Sequence, residues 1–149
     1  TFKALAVKQL KAGESVWFGS DVGQSSDRQL GIMDTNIYKK DDLFNTDFTM
    51  TKAERLDYGE SLMTHAMVLT GVDIVDGKPT KWKVENSWGD KVGDKGYFVA
   101  SDSWFDEFVY QVVISKKYLS ADLQDVIKNE YDKPTVLAPW DPMGALASK

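Results

Sequence analysis

His65 is the only histidine of this chain, which has no cysteine, so general-base chemistry near neutral pH falls to one imidazole. Alone, that signal is weak, because a lone histidine at the start of a strand is more often a structural residue with satisfied hydrogen bonds. Its surroundings sharpen it. The stretches His65 to Val75 and Lys81 to Trp88 are strand-like and flank Asp76-Gly77, a dipeptide that tolerates the positive φ angles of a tight hairpin. A two-residue turn there pairs Val75 with Lys78, Met67 with Asn86 and His65 with Trp88. Side chains alternate faces along a strand, so His65, Met67, Asn86 and Trp88 share one face and Asn86 is a diagonal neighbour of His65. A four-residue turn keeps that parity, whereas a three-residue loop or a bulge breaks it.

A histidine on one strand with an asparagine on its partner suits a cysteine protease. The amide oxygen accepts from one ring nitrogen and leaves the other facing a thiol. The imidazolium so formed stabilises the thiolate and can lower a cysteine pKa by several units. Asparagine suffices because it need only orient the ring, while a serine nucleophile more often demands a carboxylate partner. The chain offers no nucleophilic cysteine, disulfide or thiolate metal site of its own. A serine hydrolase built on Ser61 or Ser87 with His65 and Asp73 is a poorer fit, since no Gly-x-Ser-x-Gly elbow is present and Ser87 falls on the face opposite Asn86. A noncatalytic assembly module, with the hairpin face as plain core, is the third possibility.

The elements that must position these residues read as follows. Phe2, Leu5, Ala6 and Leu10 recur at helical spacing over Phe2 to Lys11, and Gly13 follows where a left-handed cap fits. Val16, Trp17 and Phe18 form a buried strand. Ser20 to Phe48, rich in Gly, Ser, Asp and Asn, is expected to be mostly loop. Thr51 and Glu54 have capping-box spacing, so a helix runs from Lys52 to about Tyr58. Tyr97 to Ala100 and Phe108 to Ser115 are two further strands around a helical turn at Ser103 to Asp106, and Ser120 caps a helix over Ala121 to Asn129. Pro134, Pro139 and Pro142 then bias the chain toward extended conformations. Two parts are expected: residues 1–133 and an arm over 134–149 whose Val136, Leu137, Trp140, Met143 and Leu146 are too apolar for a solvated tail.

With 149 residues, one domain is the prior. No apolar run approaches the roughly 20 residues of a membrane-spanning helix. A net charge of -5 with dispersed Lys and Arg argues against nucleic acid. The chain opens at Thr1 without an initiator methionine or the apolar core of a signal peptide, and reads as a piece of something longer.

Four segments now carry a resemblance. Glu60-Ser61-Leu62-Met63-Thr64-His65-Ala66-Met67 and Val84-Glu85-Asn86-Ser87-Trp88-Gly89 resemble the histidine and asparagine motifs of the aminopeptidase C and bleomycin hydrolase family, papain-like cysteine peptidases. Trp140 to Ala147 is similar to that family's C-terminal arm, and Val16-Trp17-Phe18-Gly19 to its first strand after a helix. The resemblance implies an α+β fold, the β-rich half of a papain-like protease, with an antiparallel sheet or half-barrel, flanking helices and the extended arm. It implies His65 as general base and acid, Asn86 as its orienter and Trp88 as a lid over their hydrogen bond. Thr64 and Ala66 would flank the substrate cleft. The arm would lie in that cleft near Ala147, with a terminal carboxylate facing the amino group of a peptide substrate; here Ser148 and Lys149 follow Ala147. The cysteine and oxyanion-hole glutamine would belong to an N-terminal half, so this chain alone would be inert. A cytoplasmic homo-oligomer, a hexamer, working without cofactor or metal completes what the resemblance implies.

Overall fold

The computed structural model of the chain describes residues 2–129 and 136–138. Most of the expected arm, including Trp140, Met143 and Ala147, lies outside the described residues, and Val136 and Leu137 are exposed. The element order is α1 (Phe2–Lys11), β1 (Val16–Ser20), β2 (Ser26–Asp27), β3 (Ile32–Met33), α2 (Lys40–Phe44), α3 (Lys52–Asp57), β4 (His65–Val75), β5 (Lys78–Glu85), β6 (Tyr97–Ser101), α4 (Asp102–Phe108), β7 (Val109–Val113) and α5 (Ala121–Asn129), with a 3₁₀ turn over Lys116–Tyr118.

Among the described residues the strands form one sheet in the order β2-β3-β6-β5-β4-β1-β7, the sheet of an α+β half-barrel. It is mixed, because β3 runs parallel to β6 while the other neighbours are antiparallel. The stretch expected to be mostly loop therefore holds β2, β3 and α2. Two-residue strands show no alternation in sequence, and β3 exists because Ile32 and Met33 find Val99 and Ala100.

One face of the sheet carries the core. Val16 and Phe18 of β1, Met67 and Leu69 of β4, Trp82 and Val84 of β5, and Phe98 and Ala100 of β6 are all buried at alternate positions. Ala6 of α1 and Trp104, Phe105 and Phe108 of α4 belong to the same core. Trp82 anchors it: its ring stacks on Phe105 at 4.3 Å between centroids, and its indole N–H donates to Asp102 Oδ1 at 3.1 Å. Lys3 pairs with Asp102 at 2.9 Å and Asp106 at 2.6 Å, tying α1 to α4. Emptying the Trp82 site would cost about 3–5 kcal/mol. The capping box at Thr51 and Glu54 forms with both of its hydrogen bonds, and Ser120 Oγ accepts from the Leu123 N–H at the start of α5.

The β4–β5 hairpin turns at Asp76 (φ +50°) and Gly77 (φ +77°), the two positive φ angles of the tight two-residue turn. Its register departs from the straight ladder expected. Val75 pairs with Lys78 and Ile74 with Pro79, then Thr80 is extra and Asp73 pairs with Lys81, Val72 with Trp82 and Gly71 with Lys83. Thr70 is extra on the other strand, after which Leu69 pairs with Val84 and Val68 with Glu85. One bulge on each strand shifts the register by one residue and the second restores it. The side-chain parity of the straight hairpin thus returns before the ladder reaches His65. β5 also stops three residues short of the expected Trp88, since the Asn86 N–H bonds to Gly96 O at 3.1 Å and the chain then leaves the sheet.

Candidate active site

His65 opens β4 and Asn86 follows the last residue of β5. Both continue rows of core positions, Met67 and Leu69 on one strand and Trp82 and Val84 on the other, to where the core ends. The two side chains are therefore half-buried rather than sealed.

His65 Nε2 lies 2.9 Å from Asn86 Oδ1, and the Ser87 N–H donates to the same oxygen at 2.8 Å. The second bond fixes the amide, because the reversed orientation would set Nδ2 against a backbone donor. With oxygen facing the ring, Nε2 carries the proton of the neutral imidazole. Nδ1 then holds its lone pair and makes no hydrogen bond among the described residues. Asn86 Nδ2 is buried without a partner among them. The imidazole is thus oriented from one side, with its basic nitrogen available on the other.

Trp88, outside the ladder, reaches the pair nonetheless. Its ring stacks on His65 at 5.0 Å between centroids and 26° between planes. Phe98 meets the indole edge-on at 5.8 Å, and the Arg28 guanidinium sits 4.8 Å from the ring centroid. Thr64 precedes the strand with its hydroxyl on Asp21 Oδ1 at 3.3 Å. Ala66 is exposed, opposite Gly19 in the ladder, and by alternation faces away from the imidazole. The structure thus brings together His65, Asn86 and Trp88, sets Thr64 beside them and turns Ala66 to the other face, while Ala147 lies outside the described residues.

Neither serine is arranged for nucleophilic use. Ser61 Oγ is buried, donates to Asp21 Oδ2 at 2.8 Å and receives the Tyr110 hydroxyl at 2.6 Å. Burial pushes the Tyr110 phenol upward, so it remains a protonated donor. Ser87 is exposed, and Asp73 accepts from Thr80 within the hairpin. Asp21, Tyr110 and Arg28 are site neighbours that the sequence did not reveal. Each touches the site across 40 or more positions of chain, a separation that leaves no local pattern. Among the described residues, no cluster of His, Cys, Asp or Glu could hold a metal ion, and no helix is long and apolar enough to cross a membrane.

The chain is similar to known proteins over nearly its whole length. Aminopeptidase C of Streptococcus thermophilus is 66% identical over 149 residues, covering 99% of this chain and 33% of its own length. Aminopeptidase C of Lactobacillus helveticus is 63% identical over 147 residues, again 99% of this chain and 33% of the relative. The crystal structure of PepW from Lactobacillus rhamnosis superposes with a TM-score of 0.95 at 93% identity, over 98% of this chain and 33% of that one. The chain therefore spans about a third of the length of the relatives it matches. The model of the Peptidase C1-like family runs over residues 1–144, histidine and asparagine motifs included, and the chain belongs to that family.

Proposed function

We propose that this chain is the C-terminal portion of a cysteine aminopeptidase, one that removes amino-terminal residues from peptides. The observation that carries the reading is the hydrogen bond between His65 Nε2 and Asn86 Oδ1, with Nδ1 making none among the described residues. His65 acts as general base toward a thiol supplied by the N-terminal part of the same protein. It then protonates the leaving amine as general acid. Asn86 orients the ring, Trp88 shields their hydrogen bond from water, and Thr64 flanks the bound peptide. The names of the similar aminopeptidases support the exopeptidase assignment. The arm beyond Lys133 supplies the group that recognises the substrate's free amino terminus, near Ala147. The working protein is a homo-oligomer.

The chain by itself turns over no peptide, because general-base help of about 10²–10⁴-fold is useless without a nucleophile. The test compares the full-length protein with this chain on a peptide bearing a free amino terminus, with and without prior thiol alkylation. Turnover confined to the unalkylated full-length protein supports the reading. Turnover that survives alkylation and is lost on Ser61→Ala or Ser87→Ala overturns it.

A further inference from the structure

His65 is the first residue of β4, so the ladder supports it from one side only: it pairs with Ser20, the last residue of β1. On the other side the chain arrives through residues 59–64, which have no regular structure of their own. One carboxylate makes three of the hydrogen bonds that hold that segment. Asp21 is 7% exposed, and its Oδ2 accepts from Ser61 Oγ at 2.8 Å and the Leu62 N–H at 3.2 Å, while Oδ1 accepts from Thr64 Oγ1 at 3.3 Å.

The clamp is anchored on both sides. The Asp21 N–H donates to Phe108 O at 3.0 Å, which fixes the carboxylate to the end of α4, and Tyr110 of β7 holds Ser61. Gln24, whose N–H bonds to Asp21 O, sends its amide to Glu60 O at 3.0 Å. The Thr64 N–H closes the entry onto Ser20 O at 3.0 Å. Close packing completes it: a Cβ added at Gly19 would come within 2.2 Å of Met63 Sδ. A carboxylate taken this far out of water is tolerable only when its oxygens are satisfied. Here the side-chain bonds it makes among the described residues all go to residues 61–64, immediately before the imidazole.

We propose that Asp21 is a positioning residue of the active site, whose bonds to Ser61, Leu62 and Thr64 set where His65 enters the sheet and hence where its Nδ1 points. This rests on the reading of His65 as the catalytic base. Asp21 touches neither substrate nor the reacting atoms. Its role is geometric, so an amide can largely replace it. Asparagine keeps an oxygen for Ser61 and Leu62, and its NH₂ can donate to the Thr64 hydroxyl, which accepts as readily as it donates.

The test uses the full-length enzyme with Asp21→Ala, Asp21→Asn and His65→Ala, following kcat, KM and the pH dependence of thiol alkylation by iodoacetamide, with circular dichroism to confirm folding. For folded Asp21→Ala the proposal expects kcat lower by about tenfold or more at a KM within about threefold of the parent. The acid limb of the alkylation profile should weaken, because the imidazolium no longer faces the thiolate. Asp21→Asn should recover most of both. A purely structural role would lower the active fraction and leave the profile where it was, and that result, or an unaltered kcat, overturns the proposal. If Asp21→Ala does not fold, Ser61→Ala decides: a lower kcat in folded protein supports the clamp and an unaltered one overturns it. His65→Ala separates the two claims. If it is inactive while Asp21→Ala equals the parent, only the positioning role falls. If it is fully active, the catalytic reading falls and takes this role with it.

Discussion

Asn86 Oδ1 stands 2.9 Å from His65 Nε2 and takes a second hydrogen, from Ser87, at 2.8 Å, so one oxygen decides both the orientation of the amide and the tautomer of the ring. Removing it frees the imidazole to rotate and to carry its proton on either nitrogen. Asn86→Ala in the full-length enzyme should lower kcat about 10- to 100-fold with little change in KM. Asn86→Asp keeps an acceptor for both donors and should lose less. Steady-state kinetics on a free-amino peptide checks the order, and an alanine variant as active as the aspartate variant would contradict it.

The meeting of His65 and Asn86 depends on the register of the hairpin that joins them. Thr80 and Thr70 are the extra residues whose opposed bulges cancel, and a one-residue slip puts every later side chain on the other face. Deleting Thr80 alone removes an unpaired residue and leaves Asp73 opposite Lys81, Val72 opposite Trp82 and Leu69 opposite Val84, so turnover should stay within about tenfold of the parent. Deleting Glu85, which pairs with Val68, should instead turn Asn86 to the face away from His65 and lower turnover by about 100-fold or more. A Glu85 deletion as active as the Thr80 deletion would show that side-chain parity is not what brings the pair together.

The same hairpin shows how far the sequence could be read. Asp76-Gly77 and the alternation of apolar residues placed His65 and Asn86 on one face from local chemistry alone. The straight register behind that inference was not the real one. It held because the second bulge undoes the first, and neither threonine announces itself in sequence. Trp88 illustrates the converse, since it was expected opposite His65 in the ladder. It lies beyond the strand's end and stacks on the ring through the loop that Phe98 and Arg28 support. Short elements were the least legible. β3 is defined by its partner β6 and has no period of its own, and the Asp21 cluster joins segments 40 positions apart. The capping box and the Ser120 cap were readable because a helix start is written within four residues.

Lys52 makes stability depend on alkaline pH. Its Nζ donates to the carbonyls of Asp106, at 2.9 Å, and Val109, and lies over the rings of Phe2 and Tyr110. Burial lowers its pKa from 10.5 to about 8. Between those values the unfolded chain binds a proton that the folded one does not, so stability rises with pH across this window. Full-length protein should gain about 1–2 kcal/mol relative to Lys52→Met on going from pH 8 to pH 10, a figure reduced because the group is only partly buried. Urea unfolding of both proteins at the two pH values measures it, and a constant difference would contradict the burial argument.

The central claim is that His65 is the catalytic base, and its most direct test is the turnover of a free-amino peptide by full-length His65→Ala. Folding should be confirmed by circular dichroism and the thiol counted by titration. The account predicts a loss of about 10³-fold or more in kcat with the thiol still present, because nothing remains to deprotonate it or to protonate the leaving amine. A folded His65→Ala enzyme within about tenfold of the parent would contradict it.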